Sequence, residues 1–223
     1  MSVFRNLARP LILLIFATTM TVTAMASPIE LHKATAANDV ALIETLLKAG
    51  VRVDARDSAE RTALLVATHA NAVDAARALI AAGANVNAKD NIQDSPYLYA
   101  SAAGHIEILR LTLAADADLK SVNRFGGTGL IPAAERGHVD VVRELIKAGV
   151  AVDHVNRLGW TALLEAIILS DGGPVHVEIV KLLIEAGADV NLADKDGVPP
   201  LRHAEKMGYR DIARLLKAAG AKS

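Results

Sequence analysis

The residues of this chain best suited to chemistry are seven histidines, His32, His69, His105, His138, His154, His176 and His203, set among 25 acidic and 24 basic side chains. A zinc site needs several ligands converging on one ion, and its usual sequence sign is a short spacing such as H-E-x-x-H. None of the seven stands in such a pair. Cysteine is absent, which removes disulfides, thiolate metal sites, cysteine nucleophiles and thioester or lipoprotein anchors together. "GGTGL", Gly126 to Leu130, has the glycines of a phosphate loop without the full glycine spacing or a following Lys-Ser/Thr. A serine, a histidine and an acid can meet from distant positions, so no such triad is assigned from sequence. No catalytic, cofactor-binding or metal residue is expected; the chain reads as a non-enzyme with no cofactor.

The elements that must position these residues repeat. "LLKAG" ends at Gly50, "LIAAG" at Gly83, "LIKAG" at Gly149, "LIEAG" at Gly187 and "LKAAG" at Gly220, in steps of 33, 66, 38 and 33. The step of 66 is two of 33 with Asp116, in "LAADAD", where glycine is due. A period of about 33 marks stacked units, none of which can bury its apolar face alone. In "TGLIPAAERGHVDVVRELIKAG", Thr128 is placed to cap a short helix and Gly137 to break it. A second helix then carries Val139, Val142, Leu145 and Ile146 at helical spacing. Gly149 ends that helix in the left-handed conformation that glycine adopts most freely. Asp116 must take the same conformation at some cost.

"GGTGLIPAAERGHVDVVRELIKAGVAVDHVN" and "GWTALLEA" followed by "VEIVKLLIEAGADVNLADKDG" resemble ankyrin repeats. The resemblance implies an all-α repeat solenoid of helix-turn-helix units joined by β-hairpin fingers. It covers about six units, at 27–56, 57–89, 90–122, 123–155, 156–193 and 194–223. The third unit departs most, with Ser95-Pro96-Tyr97-Leu98 for the usual Thr-Pro-Leu-His, and the last has Pro199-Pro200-Leu201 in place of a threonine cap. His105 and His138 then occupy the repeat's Gly-His position, where hydrogen bonding to neighbouring backbone is favoured over metal ligation. The unit from Gly149 to Gly187 carries five extra residues, placed around Ser170 to Pro174. Such surpluses map to loops and cost little; this one is either a tolerated bulge or a contact loop. Polar residues throughout the last unit, from Arg202 to Lys217, suit a terminal pair facing water.

The N-terminus reads as a cleavable secretory signal peptide, residues 1–26. Arg5 and Arg9 precede an apolar run from Leu11 to Val22 and a small-x-small site at Ala24-Met25-Ala26. The run falls short of the roughly 20 residues a bilayer core demands, so no stable membrane anchor is expected after cleavage. The chain would then start Ser27-Pro28-Ile29-Glu30, a capping box opening the first helix. Losing two arginines takes the formal charge from −1 to −3. With a pI of about 6.7, no basic field draws the protein to nucleic acid or anionic lipid. An exported chain without cysteine points to the bacterial periplasm, because secreted eukaryotic domains more often use disulfides.

In a stack of like units, equivalent positions align into stripes. Three residues before each helix-capping position stand Ala59, Ile92, Phe125, Leu158 and Asp196, preceded by Ser58, Asn91, Arg124, Arg157 and Lys195. Ile92, Phe125 and Leu158 with Arg124 and Arg157 form an apolar and basic ledge, with Trp160 nearby; aromatic residues and arginine most often anchor interfaces. A second row, on the first helix of each unit, holds Tyr99, Pro132, Glu165 and His203. Each has a plainer role open to it: tyrosine packing on a neighbouring helix, tryptophan shielding a hairpin, arginines solvated or paired. The expected function is non-enzymatic binding of another protein by a monomer after export. The alternatives are a dedicated accessory or inhibitory partner of an exported enzyme and, further off, a small-molecule or cell-wall-fragment binder with a deep polar pocket.

Overall fold

The computed structural model describes residues 26–222. Met1 to Met25 of the expected signal peptide lie outside them. The described residues form six helix pairs. They are α1 (Pro28–Ala36) with α2 (Val40–Lys48), α3 (Ala63–His69) with α4 (Val73–Ala81), and α5 (Pro96–Ala103) with α6 (Ile106–Ala114). There follow α7 (Leu130–Glu135) with α8 (Val139–Ala148), α9 (Ala162–Ile168) with α10 (Pro174–Glu185), and α11 (Pro200–Met207) with α12 (Arg210–Ala218). Each helix packs on its pair partner and on the equivalent helix of the next pair, which yields an inner row of odd-numbered helices and an outer row of even-numbered ones.

Burial follows from that two-layer arrangement. An inner helix is enclosed by neighbours on both sides and by its partner, so α9 buries an unbroken run from Ala162 to Ile167. An outer helix meets the core along one stripe, and α8 buries Val141, Val142 and Leu145 while Val139 and Ile146 pack half-exposed against them. The polar last pair exposes Arg202, Glu205, Lys206, Arg210, Asp211, Arg214 and Lys217.

The fingers between pairs are tight turns rather than paired strands; among the described residues the only bridge is Arg56 with Thr62. One device builds all five. The backbones of Asp57, Asp90, Asn123, Asn156 and Asp194 donate to the carbonyls of Arg61, Asp94, Gly127, Trp160 and Val198. The same residues' Oδ1 atoms accept N–H bonds from positions two and four residues on, at 2.9 to 3.1 Å.

Four of the six inner helices start with another shared device. Ser27, Thr62, Ser95 and Thr161 accept the N–H three residues on with their side-chain oxygens. Glu30 does not complete a reciprocal box at Ser27, because its carboxylate pairs with Lys33 at 3.0 Å. Thr128 departs from expectation. The cap position shifts one residue on, to Gly129, so that the helix begins at Leu130, and the buried Thr128 Oγ1 has no partner. Pro132 has no N–H to give to the Thr128 carbonyl, which takes Ile131 N–H at 3.2 Å instead and tightens the first turn.

The surplus residues lie between α9 and α10, and α10 takes up part of them. It starts at Pro174, two residues before His176, whereas His138 at the same place in its own repeat caps α8. The remaining loop is pinned. The Tyr209 hydroxyl donates to Ser170 O at 2.6 Å, and Asp171 Oδ1 accepts Gly173 N–H at 2.8 Å. Gly172, at φ +66°, lies so close to the Tyr209 ring that any Cβ there would collide with it.

Asp116 has φ +60°, beside +90° for Gly149 and +89° for Gly187. Asp116→Gly is expected to raise stability by about 0.5–1 kcal/mol; an unchanged or lower melting temperature counts against the strain. Thr161→Val is expected to cost about 1 kcal/mol through its lost cap. Thr128→Val, which removes an orphaned hydroxyl, is expected to be neutral or stabilising. Thermal unfolding of the two variants side by side checks this contrast.

Candidate protein-binding groove

The finger turns and inner helices face one another across a groove of about 530 Å³ in the middle of the stack. The Asx acceptors set one wall. By fixing the N–H groups of Ile92, Phe125 and Leu158, they hold these residues at the fingertips, where their side chains stay 46%, 51% and 43% exposed. Leu169, 48% exposed, joins them at the end of α9. Arg124 lies 4.8 Å from the Phe125 ring centre and 4.0 Å from the Asp94 carboxylate. The inner helices give the other wall, with Tyr99, Pro132, Glu135, Arg136 and Glu165. The ledge and the inner row, distinct stripes in the sequence, thus line one groove.

Three expected residues lie outside that lining. Arg157 Nη1 donates to the Arg124 carbonyl at 2.8 Å and Arg157 N–H to the Phe125 carbonyl at 3.0 Å, tying finger to finger. Its stem also lies where a Cβ on Gly126 would be. Trp160 is half-buried, and its backbone N–H closes the Asn156 turn. His203 Nε2 meets Asp194 Oδ2 at 2.8 Å, within its own repeat.

That last pair shows a register missed in the sequence. The finger's Asx residue reaches the inner-row residue nine positions on: Asp194 to His203, and Asn156 Nδ2 to Glu165 Oε1 at 2.7 Å. An Asn or Asp recurring at each fingertip was the available signal. Glu165 is 6% exposed. Loss of water, then the nearby Glu135 carboxylate, pushes its carboxyl up to about 7 against the lowering influence of the Asn156 amide. Asp94 is also raised, by burial and by Asp90, with Arg124 and Arg136 opposing.

Three of the histidines tie one repeat to another. His105 Nδ1 lies 2.9 Å from Thr68 O, His138 Nε2 3.2 Å from Ala102 O and His176 Nε2 3.0 Å from Glu135 O, each in the preceding repeat. His69 stacks on Tyr99 with ring centres 3.9 Å apart. Tyr99 is therefore both a packing residue and part of the groove wall. Among the described residues, no group of three or more acidic or histidine side chains is placed to hold a metal ion.

With this geometry in view, comparison with known proteins identifies the class. Models described as ankyrin repeats (3 copies) match residues 31–121 and 97–194, and ankyrin repeats (many copies) match 176–216. The chain belongs to the ankyrin repeat family. A crystal structure of an ankyrin repeat domain (ABAYE2397) from Acinetobacter baumannii AYE is 63% identical with a TM-score of 0.84, over 86% of this chain and 98% of that one. That of EF0377, an ankyrin repeat protein, is 40% identical with a TM-score of 0.81, over 84% and 96%. The putative ankyrin repeat protein YahD of Escherichia coli (strain K12) is 53% identical over 58 residues, 26% of this chain and 29% of that protein. Mouse protein phosphatase 1 regulatory subunit 27 is 48% identical over 46 residues, 21% of this chain and 30% of that protein. The matches to both curated relatives thus span under a third of their length. Ankyrin repeats indicate a protein–protein interaction module, and proteins built from them are generally non-enzymatic scaffolds.

Because the folded site prefers the neutral Glu165 acid, the unfolded chain ionises first as pH rises. The stability contributed there falls from the ordinary glutamate range up to about pH 7. Glu165→Gln is therefore expected to raise the melting temperature more at pH 8 than at pH 5. Asn156→Asp keeps the turn acceptor, as Asp90 and Asp194 show, but sets a second carboxylate on Glu165; a loss of about 1–3 kcal/mol at pH 8 should be recovered when Glu165→Gln is added. Additive effects of the two changes in denaturant unfolding would argue against the coupling.

Proposed function

We propose that this chain is a non-enzymatic binding module for another protein, acting after export in the bacterial periplasm, with the groove as its contact face. The observation that carries this reading is the convergence of four exposed apolar side chains, Ile92, Phe125, Leu158 and Leu169, on one groove. A stable fold gains nothing from leaving such residues in water, and exposed apolar clusters with an aromatic and an arginine suit an interface. Export rests on the N-terminal charge, apolar run and cleavage signal. A dedicated accessory or inhibitory role toward an exported enzyme is the second reading, favoured by the similarity to a phosphatase regulatory subunit.

The test is capture from a periplasmic extract by the wild-type protein and by an Arg124→Ala, Phe125→Ala, Leu158→Ala variant, which spares the structural Arg157. Wild type is expected to retain a partner stoichiometrically, and the variant, at equal helicity, to lose at least about tenfold in affinity. Equal retention by both rejects the groove. A change in the activity of a captured enzyme marks the accessory role.

A further inference from the structure

The groove carries more negative charge than its own cations satisfy. Arg124 sits 4.0 Å from Asp94, and Arg136 Nη1 donates to the Ala102 carbonyl at 2.9 Å. Neither Glu135 nor Glu165 forms an ion pair among the described residues. Glu165 is nearly buried, and Asn156 satisfies only its Oε1. Oε2 meets no donor among the described residues, and Glu165 lines the groove. A carboxylate taken out of water in this way is costly unless a cation completes it.

We propose that the groove receives a flexible segment of its partner protein bearing a lysine or arginine, whose cation docks on the Glu165 carboxylate beside Glu135 while adjacent apolar residues pack on Ile92, Phe125 and Leu158. The inference rests on the protein-binding reading and adds the chemistry of the occupant. Charge complementarity selects it. An acidic segment would bring like charge to two unpaired carboxylates, and a wholly apolar one would leave Glu165 Oε2 sealed without a donor. Arginine offers a further fit, since its several planar donors can reach Oε2 of Glu165 and the Glu135 carboxylate beside it. Burial and the Glu135 carboxylate keep a proton on Glu165 up to about pH 7, and a docked cation would offset both.

The experiment is selection from a random peptide display library at about pH 8, where the carboxylate is ionised. The protein is expressed from its full reading frame and purified as the host delivers it. Wild type is expected to enrich lysine or arginine next to apolar residues by about tenfold over the starting library. Glu165→Gln, which keeps the Asn156 bond, should lose the cationic preference while still selecting apolar residues. Glu135→Gln should weaken that preference, and Phe125→Ala should weaken selection of the apolar neighbours. Apolar selection without cationic enrichment, or enrichment that persists in Glu165→Gln, overturns the cation proposal and leaves the binding groove standing. Recovery of no peptide above background by wild type overturns both.

Discussion

A unit of two short helices and a turn has too little interior to keep its apolar face dry, and this is the constraint from which the rest of the molecule follows. Leu64 and Leu65 on α3, or Leu163 and Leu164 on α9, are almost wholly buried because neighbouring helix pairs cover them from both sides. Stability is therefore shared between neighbours. The histidine contacts to preceding carbonyls and the Arg157 tie between fingers are the polar counterpart of the same dependence, joining the third, fourth and fifth repeats each to the one before it.

Stacking also creates the site. Once helix pairs are held in register, a residue type at one position of each unit becomes a row, and the Asx turns fix how far each fingertip projects. Rigidity and binding surface thus have one origin. Apolar side chains that a single loop would fold back against its own backbone are kept in solvent because Oδ1 of Asp90, Asn123 and Asn156 holds the backbone beneath them. A surface set in advance loses little entropy on binding.

Two departures from the repeating pattern each have a physical reason. Pro132 has no N–H, so the α7 start is tightened and Thr128 is left without its capping role. The surplus before α10 forms a loop pinned by Tyr209 of the next repeat, so length that a lone unit would leave loose is tied down by its neighbour. The solenoid accommodates both departures without a break in the stack, because each repeat contacts only those beside it.

Much was legible in the residues alone. The 33-residue step, the glycines at helix ends and the small aliphatic pattern determined the repeat count, the helix pairs and the place of the insertion, because these depend on local conformation and on burial that recurs with the period. The sequence also supplied both stripes of candidate contact residues. Only the tertiary structure decided that the stripes face one another across one groove, that Arg157 and His203 are occupied with neighbours, and that Glu165 is a buried carboxylate short of a cation. Those outcomes depend on the distances between groups brought together within and between repeats and on the water excluded around them, which a one-dimensional pattern does not contain.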